Sequence, residues 1–471
     1  MNVSRLGFLK GALSALGVGV GGGWRVFAAP PGWKPPKNPN IVFGVVSDTH
    51  LAAAALSGKP RKGWIHTYFR NALSYFRDQN VDAVVHCGDM AHRGMISELQ
   101  FHANVWRRVF PDNRAPDGHV VEKLFVNGNH DTDGFKYSDN WAKKIFPDPV
   151  ERAKHVLADD MAGNWERIWG EPFHDVWHKE VKGYHFFGRH HGISEAKFAR
   201  LVKEVDKKAG LAKSKRPFFM LSHKRPGNAL VKLLAPFRNG VGFFGHWHAS
   251  CVNWNNMYFF TGATFPHIEV PSCEPRGSGG LGAIARLPPA MAGVPIEGVE
   301  DVGKTRQGYV VRVYDDMLVI SRREFGVGGS LGPDWIMPLG RYKPHPLSFG
   351  ELAKRIGEPQ FRDGAKLGVE KGGDGITLSI PLADANPESR VYAYDVKIAG
   401  ADEPVSRRVF AVGCNLPAGR EPNGGVTKMF VPAVTLPCGD LLAVSVTPYS
   451  SLGTKGRPIS ALFEAVCARG K

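Results

Sequence analysis

Lys123-Leu124-Phe125-Val126-Asn127-Gly128-Asn129-His130-Asp131 carries the fold in small. Leu124 to Val126 is a short apolar run of the kind that makes a strand buried on both faces. The run breaks at Gly128, where the backbone turns, and an amide, an imidazole and a carboxylate follow in immediate succession. Asn, Gly and Asp are also ordinary turn formers, so these residues alone fit a hydrogen-bonded turn equally well. What separates the two readings is whether the same event, an apolar run ending in polar side chains, recurs along the chain.

It recurs four times. Ile41 to Ser47 is an apolar run ending at Asp48-Thr49-His50, and Ala83-Val84-Val85-His86-Cys87 delivers Gly88-Asp89. Pro217 to Ser222 is followed at once by His223, and Val241 to Phe244 ends at Gly245-His246-Trp247-His248. Amphipathic helices separate the runs. Ile65, Phe69, Leu73 and Phe76 recur at spacings of four and three, and further helical stretches fall near 96–109, 195–208 and 229–234. Alternating strands and helices predict an α/β fold, and polar clusters at strand carboxyl ends lie where open α/β sheets build their sites. Tyr184 to Phe187 and Met257 to Thr261 read as further strands. Residues 132–181 show no clear period and read as an insertion over the site.

The rest of the chain changes character. Ser272 to Thr305 is loop-like, after which Tyr309–Tyr314 and Met317–Ser321, joined across Asp315-Asp316, form a hairpin that closes the domain. From about residue 358 only strand-like runs remain, at 376–380, 391–398, 429–431 and 441–446, which predicts a small all-β sandwich. The expected division is an export signal at 1–28, a Pro-rich linker at 29–39, an α/β domain at 40–325, a linker at 326–357 and a β-sandwich-like domain at 358–471.

Ser4-Arg5-Leu6-Gly7-Phe8-Leu9-Lys10 precedes a small apolar run ending at the Val26-Phe27-Ala28 cleavage signature. This reads as an export signal, too short to span a bilayer as an anchor. It resembles a twin-arginine signal with Leu6 in place of the second arginine. The expected destination is therefore the periplasm or the outside of a bacterial cell, by that route or the general secretory one. The chain of 471 residues carries a net charge of +16, which suits anionic substrates or surfaces. The basic residues are scattered and no nucleic-acid motif is present, so no nucleic-acid partner is expected. Six cysteines stand at 87, 251, 273, 414, 438 and 467 without a Cys-x-x-Cys pair. Cys414–Cys438 and Cys251–Cys273 are conceivable bridges, whereas Cys87 inside its strand reads as a buried thiol.

Collected, the groups after the strands are Asp48, His50, Asp89, Asn129, His130, His223, His246 and His248, all oxygen or imidazole donors with no thiolate. Such a set suits one or two borderline metals such as Mn, Fe or Zn. Two dications need shared negative charge between them, and Asp89 is the candidate bridge. Asp48 with His50, and His246 with His248, are spaced so that each pair can converge on a small region if its backbone is extended.

In this order the motifs resemble the calcineurin-like metallophosphoesterase family: Asp48-Thr49-His50, Gly88-Asp89 with Gly94, Gly128-Asn129-His130-Asp131, His223, and Gly245-His246-Trp247-His248. The resemblance covers about residues 40–325 and implies a four-layer α/β/β/α sandwich. It implies that Asp48, His50, Asp89 and His248 hold one metal and that Asp89, Asn129, His223 and His246 hold the other. His130 is then the catalytic histidine, with Asp131 orienting it. Purple acid phosphatases place a tyrosine ligand three residues after the Asp89 equivalent; here that residue is His92, read as a neighbour of the site.

The expected activity is metal-dependent hydrolysis of a phosphomonoester or phosphodiester, on a small molecule or a polymer, with metal-bound hydroxide as nucleophile and His130 as general acid. Lys224 and Arg225, or Arg189, His190 and His191, are placed to reach a substrate phosphate. Trp165, Trp169 and Trp177 read as buried packing, with stacking on a base or sugar as the other use. The alternative is an exported binding protein in which a non-catalytic phosphoesterase fold recognises glycans or cell-envelope polymers.

Overall fold

The computed structural model describes residues 34–52, 65–137, 146–252, 256–258, 264–273, 296–297, 306–315, 317–338, 354, 357–385, 390–400, 403–437 and 441–464. The export-signal stretch 1–28 and most of the loop 272–305 lie outside them.

Strands β1 (Ile41–Val46), β2 (Ala83–Cys87) and β3 (Glu122–Val126) alternate with helices α1 (Ile65–Asp78) and α2 (Ile96–Val109). Helices α3 (Asn129–Tyr137), α4 (Pro149–Ala153) and α5 (Met161–Trp169) follow. Then come β4 (Val176–Val181), β5 (Tyr184–Arg189), α6 (Glu195–Ala209), β6 (Phe218–Ser222), α7 (Asn228–Leu233), β7 (Gly240–Phe244), β8 (Met257–Tyr258) and β9 (His267–Glu269). β10 (Ile296–Glu297) joins a sheet described below, and β11 (Gln307–Val313), β12 (Met317–Glu324), β13 (Gly329–Ser330) and β14 (Trp335–Pro338) complete this part. One sheet runs β13-β12-β11-β1-β2-β3, with β14 also on β12; the other runs β4-β5-β6-β7-β9-β8.

Strand period explains the layers. In β1 to β3, Phe43, Val45, Ala83, Val85, Leu124 and Val126 point into the core between the sheets. Their neighbours Val46, Val84 and Phe125 point the other way, onto α1, α2 and α5 through Leu73, Phe76, Trp106 and Trp169. The second sheet is covered by α6 and α7, where Phe198, Val202 and Leu230 meet Phe187, Phe218 and Met220. The order is helices, sheet, sheet, helices. Phe43 joins the two sheets, lying edge-on to Phe186, Phe219 and Phe243 at centroid distances of 5.4, 4.9 and 6.0 Å. Each such contact adds about 0.5–1.5 kcal/mol beyond the area buried.

Beyond these sheets lie β15 (Gly368–Gly372), β16 (Gly375–Ile380), β17 (Val391–Ala399), β18 (Val405–Phe410), β19 (Thr427–Pro432), β20 (Leu441–Ser450) and β21 (Ile459–Glu464). They form a three-stranded sheet β15-β16-β19 and a five-stranded sheet β10-β18-β17-β20-β21, an all-β region. Its core is continuous with the inter-sheet core of the α/β part.

Two expectations are corrected here. Residues 329–338, expected within a linker, add β13 and β14 to the first sheet, because Trp335 and Met337 alternate into the core and are fully buried. The expected insertion 132–181 ends in β4, the antiparallel edge strand of the second sheet; its lone buried residue, Val181, hides the strand signal.

Candidate metal centre

The parallel strands bring Asp48, His50, Asp89 and the Asn129 loop to the carboxyl ends of β1, β2 and β3, and His223, His246 and His248 to the carboxyl ends of β6 and β7. The loops that carry them are not extended. Asp48, His50, Asp89, His246 and His248 have φ of 51°, 42°, 55°, 80° and 54°, left-handed conformations costing about 1–3 kcal/mol each. Backbone hydrogen bonds hold them: Asp48 N–H to Gly88 O at 2.9 Å, His50 N–H to Asp89 O at 3.0 Å, and Gly245 N–H to His223 O at 3.0 Å.

Asp48, His50 and His248 gather into one potential ligand set, and Asp89, His223 and His246 into another. His246 and His248 are therefore divided between the two, against the simple alternation of an extended segment. Asp89 connects them, with Oδ2 3.3 Å from His223 Nε2 and 3.6 Å from His50 Nε2. Asn129 joins the second set through Oδ1, 2.8 Å from His223 Nε2. Asp48, His50, Asp89, Asn129 and His223 are buried, while His130, His246 and His248 are partly exposed, so the centre has a closed floor and one open side.

The donor chemistry fits cations. His223 Nδ1 lies 2.9 Å from the Cys87 carbonyl oxygen, which can only accept, so Nδ1 carries the hydrogen. Nε2 then turns its lone pair toward oxygens of Asp89 and Asn129, an arrangement that needs a cation between them. Likewise His50 Nε2 and His248 Nε2 stand 3.2 Å apart, as do His246 Nδ1 and His223 Nε2. Burial opposes charge on His223, but the Asp89 and Asp48 carboxylates outweigh it and lift the ring to about 9. A proton there stands in for a metal. Burial alone would raise Asp48 and Asp89, yet His248 beside Asp48 and His223 beside Asp89 hold both carboxyls below their ordinary range.

The opening stretch is the start of α3. Gly128 N–H donates to Asp131 Oδ2 at 2.7 Å, half of a capping box in which the third helical residue reaches back to the cap. Asp131 also accepts from Ala91 N–H at 2.7 Å and Met90 N–H at 3.3 Å. His130 Nδ1 faces the His92 carbonyl oxygen at 2.8 Å. The expected orientation of His130 by Asp131 is thus corrected: the carbonyl fixes the ring, and Asp131 pins the loops beneath it.

Lys224 is half-buried and close enough to His191 and His246 to act on both electrostatically, whereas Arg225 is exposed. Arg189 turns away, donating to the Ile193 carbonyl. His191 lies at the site, its ring centroid 6.1 Å from that of His223. Asn127, given no role by sequence, clamps this loop: its N–H donates to His190 Nδ1 at 3.0 Å and its Oδ1 accepts from His191 N–H at 2.7 Å. His92 forms a further potential ligand set with His50 and His130. Its position three residues after Asp89 was the available signal. The Cys251–Cys273 bridge is overturned, because Cys251 faces the inter-sheet core and Cys273 the helix-side core, and both are free thiols. Cys87 and Cys414 are buried free thiols too; Cys438 and Cys467 lie outside the described residues.

Residues 41–250 match the calcineurin-like phosphoesterase family. Among solved structures, a dimetal phosphatase from Danio rerio is similar at 12% identity, over 64% of this chain and 99% of its own, with a TM-score of 0.35. A purple acid phosphatase from yellow lupin (Lupinus luteus) seeds is similar at 12% identity, over 64% of this chain and 55% of its own, with a TM-score of 0.41. No curated protein matches the chain. The matched region carries every donor of both sets, and residues 41–250 are thus a calcineurin-like phosphoesterase region, that of a phosphoric ester hydrolase.

Proposed function

We propose that the centre hydrolyses a phosphomonoester or phosphodiester, with Asp48, His50, Asp89 and His248 holding one ion and Asp89, Asn129, His223 and His246 the other. The observation that carries this reading is the pair of donor sets joined at Asp89, with His130 on the open side. Two ions held there would polarise phosphoryl oxygens, offset the charge that builds in the transition state and lower the pKa of a water molecule.

The chain's own groups supply the rest. His130 carries hydrogen on Nδ1, so Nε2 is the nitrogen that takes up a proton and passes it to the departing ester oxygen. His191 and Lys224 lie beside the His223 end of the centre and would meet phosphoryl oxygens of a bound ester. Manganese, iron and zinc all suit this mixed imidazole and carboxylate set. Export to the periplasm or beyond rests on the pattern of residues 4–28, and the mass of the mature chain tests it.

The test is hydrolysis of p-nitrophenyl phosphate and bis-p-nitrophenyl phosphate by metal-quantified protein. Two ions per chain with hydrolysis of either ester are expected, and Asp89→Ala should lose metal and turnover together. Protein that holds two ions and hydrolyses neither these esters nor nucleotide, phospholipid head-group or sugar phosphates would sink the reading.

A further inference from the structure

On the helix side of the first sheet lies a cavity of about 230 Å³ that the hydrolytic centre does not use. Its walls are aromatic: Phe125 from β3, Trp165 and Trp169 from α5, and Trp177 from β4. Pro172 and His174, both exposed, mark its mouth. The tryptophans partly serve packing, as their sequence suggests, since Trp169 lies 5.1 Å from Phe125 and 6.1 Å from Trp165 between ring centroids. Packing alone does not account for the space. Protein interiors leave few voids larger than a water molecule, and a dry cavity of ~150 Å³ already accepts benzene.

The polar groups of the cavity have a sign. Lys123 Nζ and Lys179 Nζ share the carboxylate of Glu171, at 2.7 and 2.6 Å, so two ammonium groups face one anion. One positive charge is left over beside the tryptophans. Lys179 also lies 6.0 Å from the Trp177 ring centroid. On the far side His190 packs against Trp165, with ring centroids 5.1 Å apart, and its Nδ1 takes the Asn127 N–H. The cavity is thus one residue removed from the loop that carries Asn129 and His130, without sharing a residue with either ligand set.

We propose that this cavity is a second ligand site, for a flat ring bearing a carboxylate or similar anionic group. The ring stacks among the tryptophans and the anion meets Lys179 and Lys123. Benzoate is a suitable probe and benzyl alcohol its uncharged counterpart. Both are titrated into the metal-loaded chain by tryptophan fluorescence, with inorganic phosphate saturating the metal centre so that carboxylate binding there does not register. Benzoate is expected to quench saturably and to bind about tenfold or more tightly than benzyl alcohol. Lys179→Met should remove that preference, and Trp177→Leu should weaken both probes. Absence of saturable quenching overturns the proposal, as does equal affinity for the two probes in the unaltered chain, a comparison that needs no variant to fold.

Discussion

Nδ1 of His130 is committed to the His92 carbonyl, so Nε2 is the nitrogen that the proposed mechanism turns toward the leaving group. Replacing His130 by alanine leaves both donor sets joined at Asp89 intact. His130→Ala should therefore keep its metal and lose about 100- to 10,000-fold in kcat, with alkyl phosphates losing more than p-nitrophenyl phosphate, whose leaving group needs no proton. Equal losses on both substrates would remove the general-acid assignment. Gly128 shows how sequence reading can find the right residue for the wrong reason. It reads as a bend, but its backbone is not left-handed; a Cβ there would lie 2.1 Å from Asp89 Oδ1 and 2.4 Å from Asp89 N. Gly128→Ala must push the Asp89 carboxylate and backbone aside, so metal analysis should show loss of bound metal from a chain that stays folded by circular dichroism. The donors were legible because each follows an apolar run. The left-handed backbone at Asp48, His50, Asp89, His246 and His248 was not, since aspartate and histidine enter that region more often than other side chains yet still only rarely.

Elements buried on both faces announced themselves. β1, β6 and β7 are apolar runs almost throughout, β2 and β3 carry one at 83–85 and 124–126, and α1 and α2 keep a helical period on the buried side. Edge elements did not. β4 shows the solvent all but one of its side chains in part, and β14 is four residues long within Gly- and Pro-rich surroundings, so neither has a run long enough to carry a period. Position decides how much such a strand matters. Trp335 in β14 is fully buried and packs 5.8 Å from Tyr309 of β11, centroid to centroid. Trp335→Ala should cost about 3–5 kcal/mol, read from urea unfolding, while the folded fraction keeps its metal content. A loss below about 1 kcal/mol would mean that β14 adds little to the sheet.

At the scale of the whole molecule, buried neutral imidazoles tie stability to pH away from the metal donors. His190 fills the wall behind Asn127, and His267 of β9 lies over Gly242, where a Cβ would come within 2.6 Å of the ring. Burial lowers both rings to about 3; for His190 the nearby Asp175 works in the opposite direction, and for His267 a backbone contact at Phe265 does. In the unfolded chain each titrates near 6.5. Between pH 6.5 and 3 the unfolded state therefore binds the proton and the native state does not. Stability is full above pH 6.5 and falls as the pH drops toward 3. At pH 5 each ring subtracts about 2 kcal/mol, a large share of the ~5–15 kcal/mol that ordinarily separates folded from unfolded chains. The metal donors lose stability over the same range when their ions dissociate, so the effect is isolated by comparison: urea unfolding at pH 7 and pH 5 for the unaltered chain and for His267→Gln. The variant should start less stable at pH 7 and lose about 2 kcal/mol less on acidification. Parallel losses in the two proteins would show that His267 takes up its proton in the native state near the ordinary pH, and that the space left by Gly242 admits a charged ring.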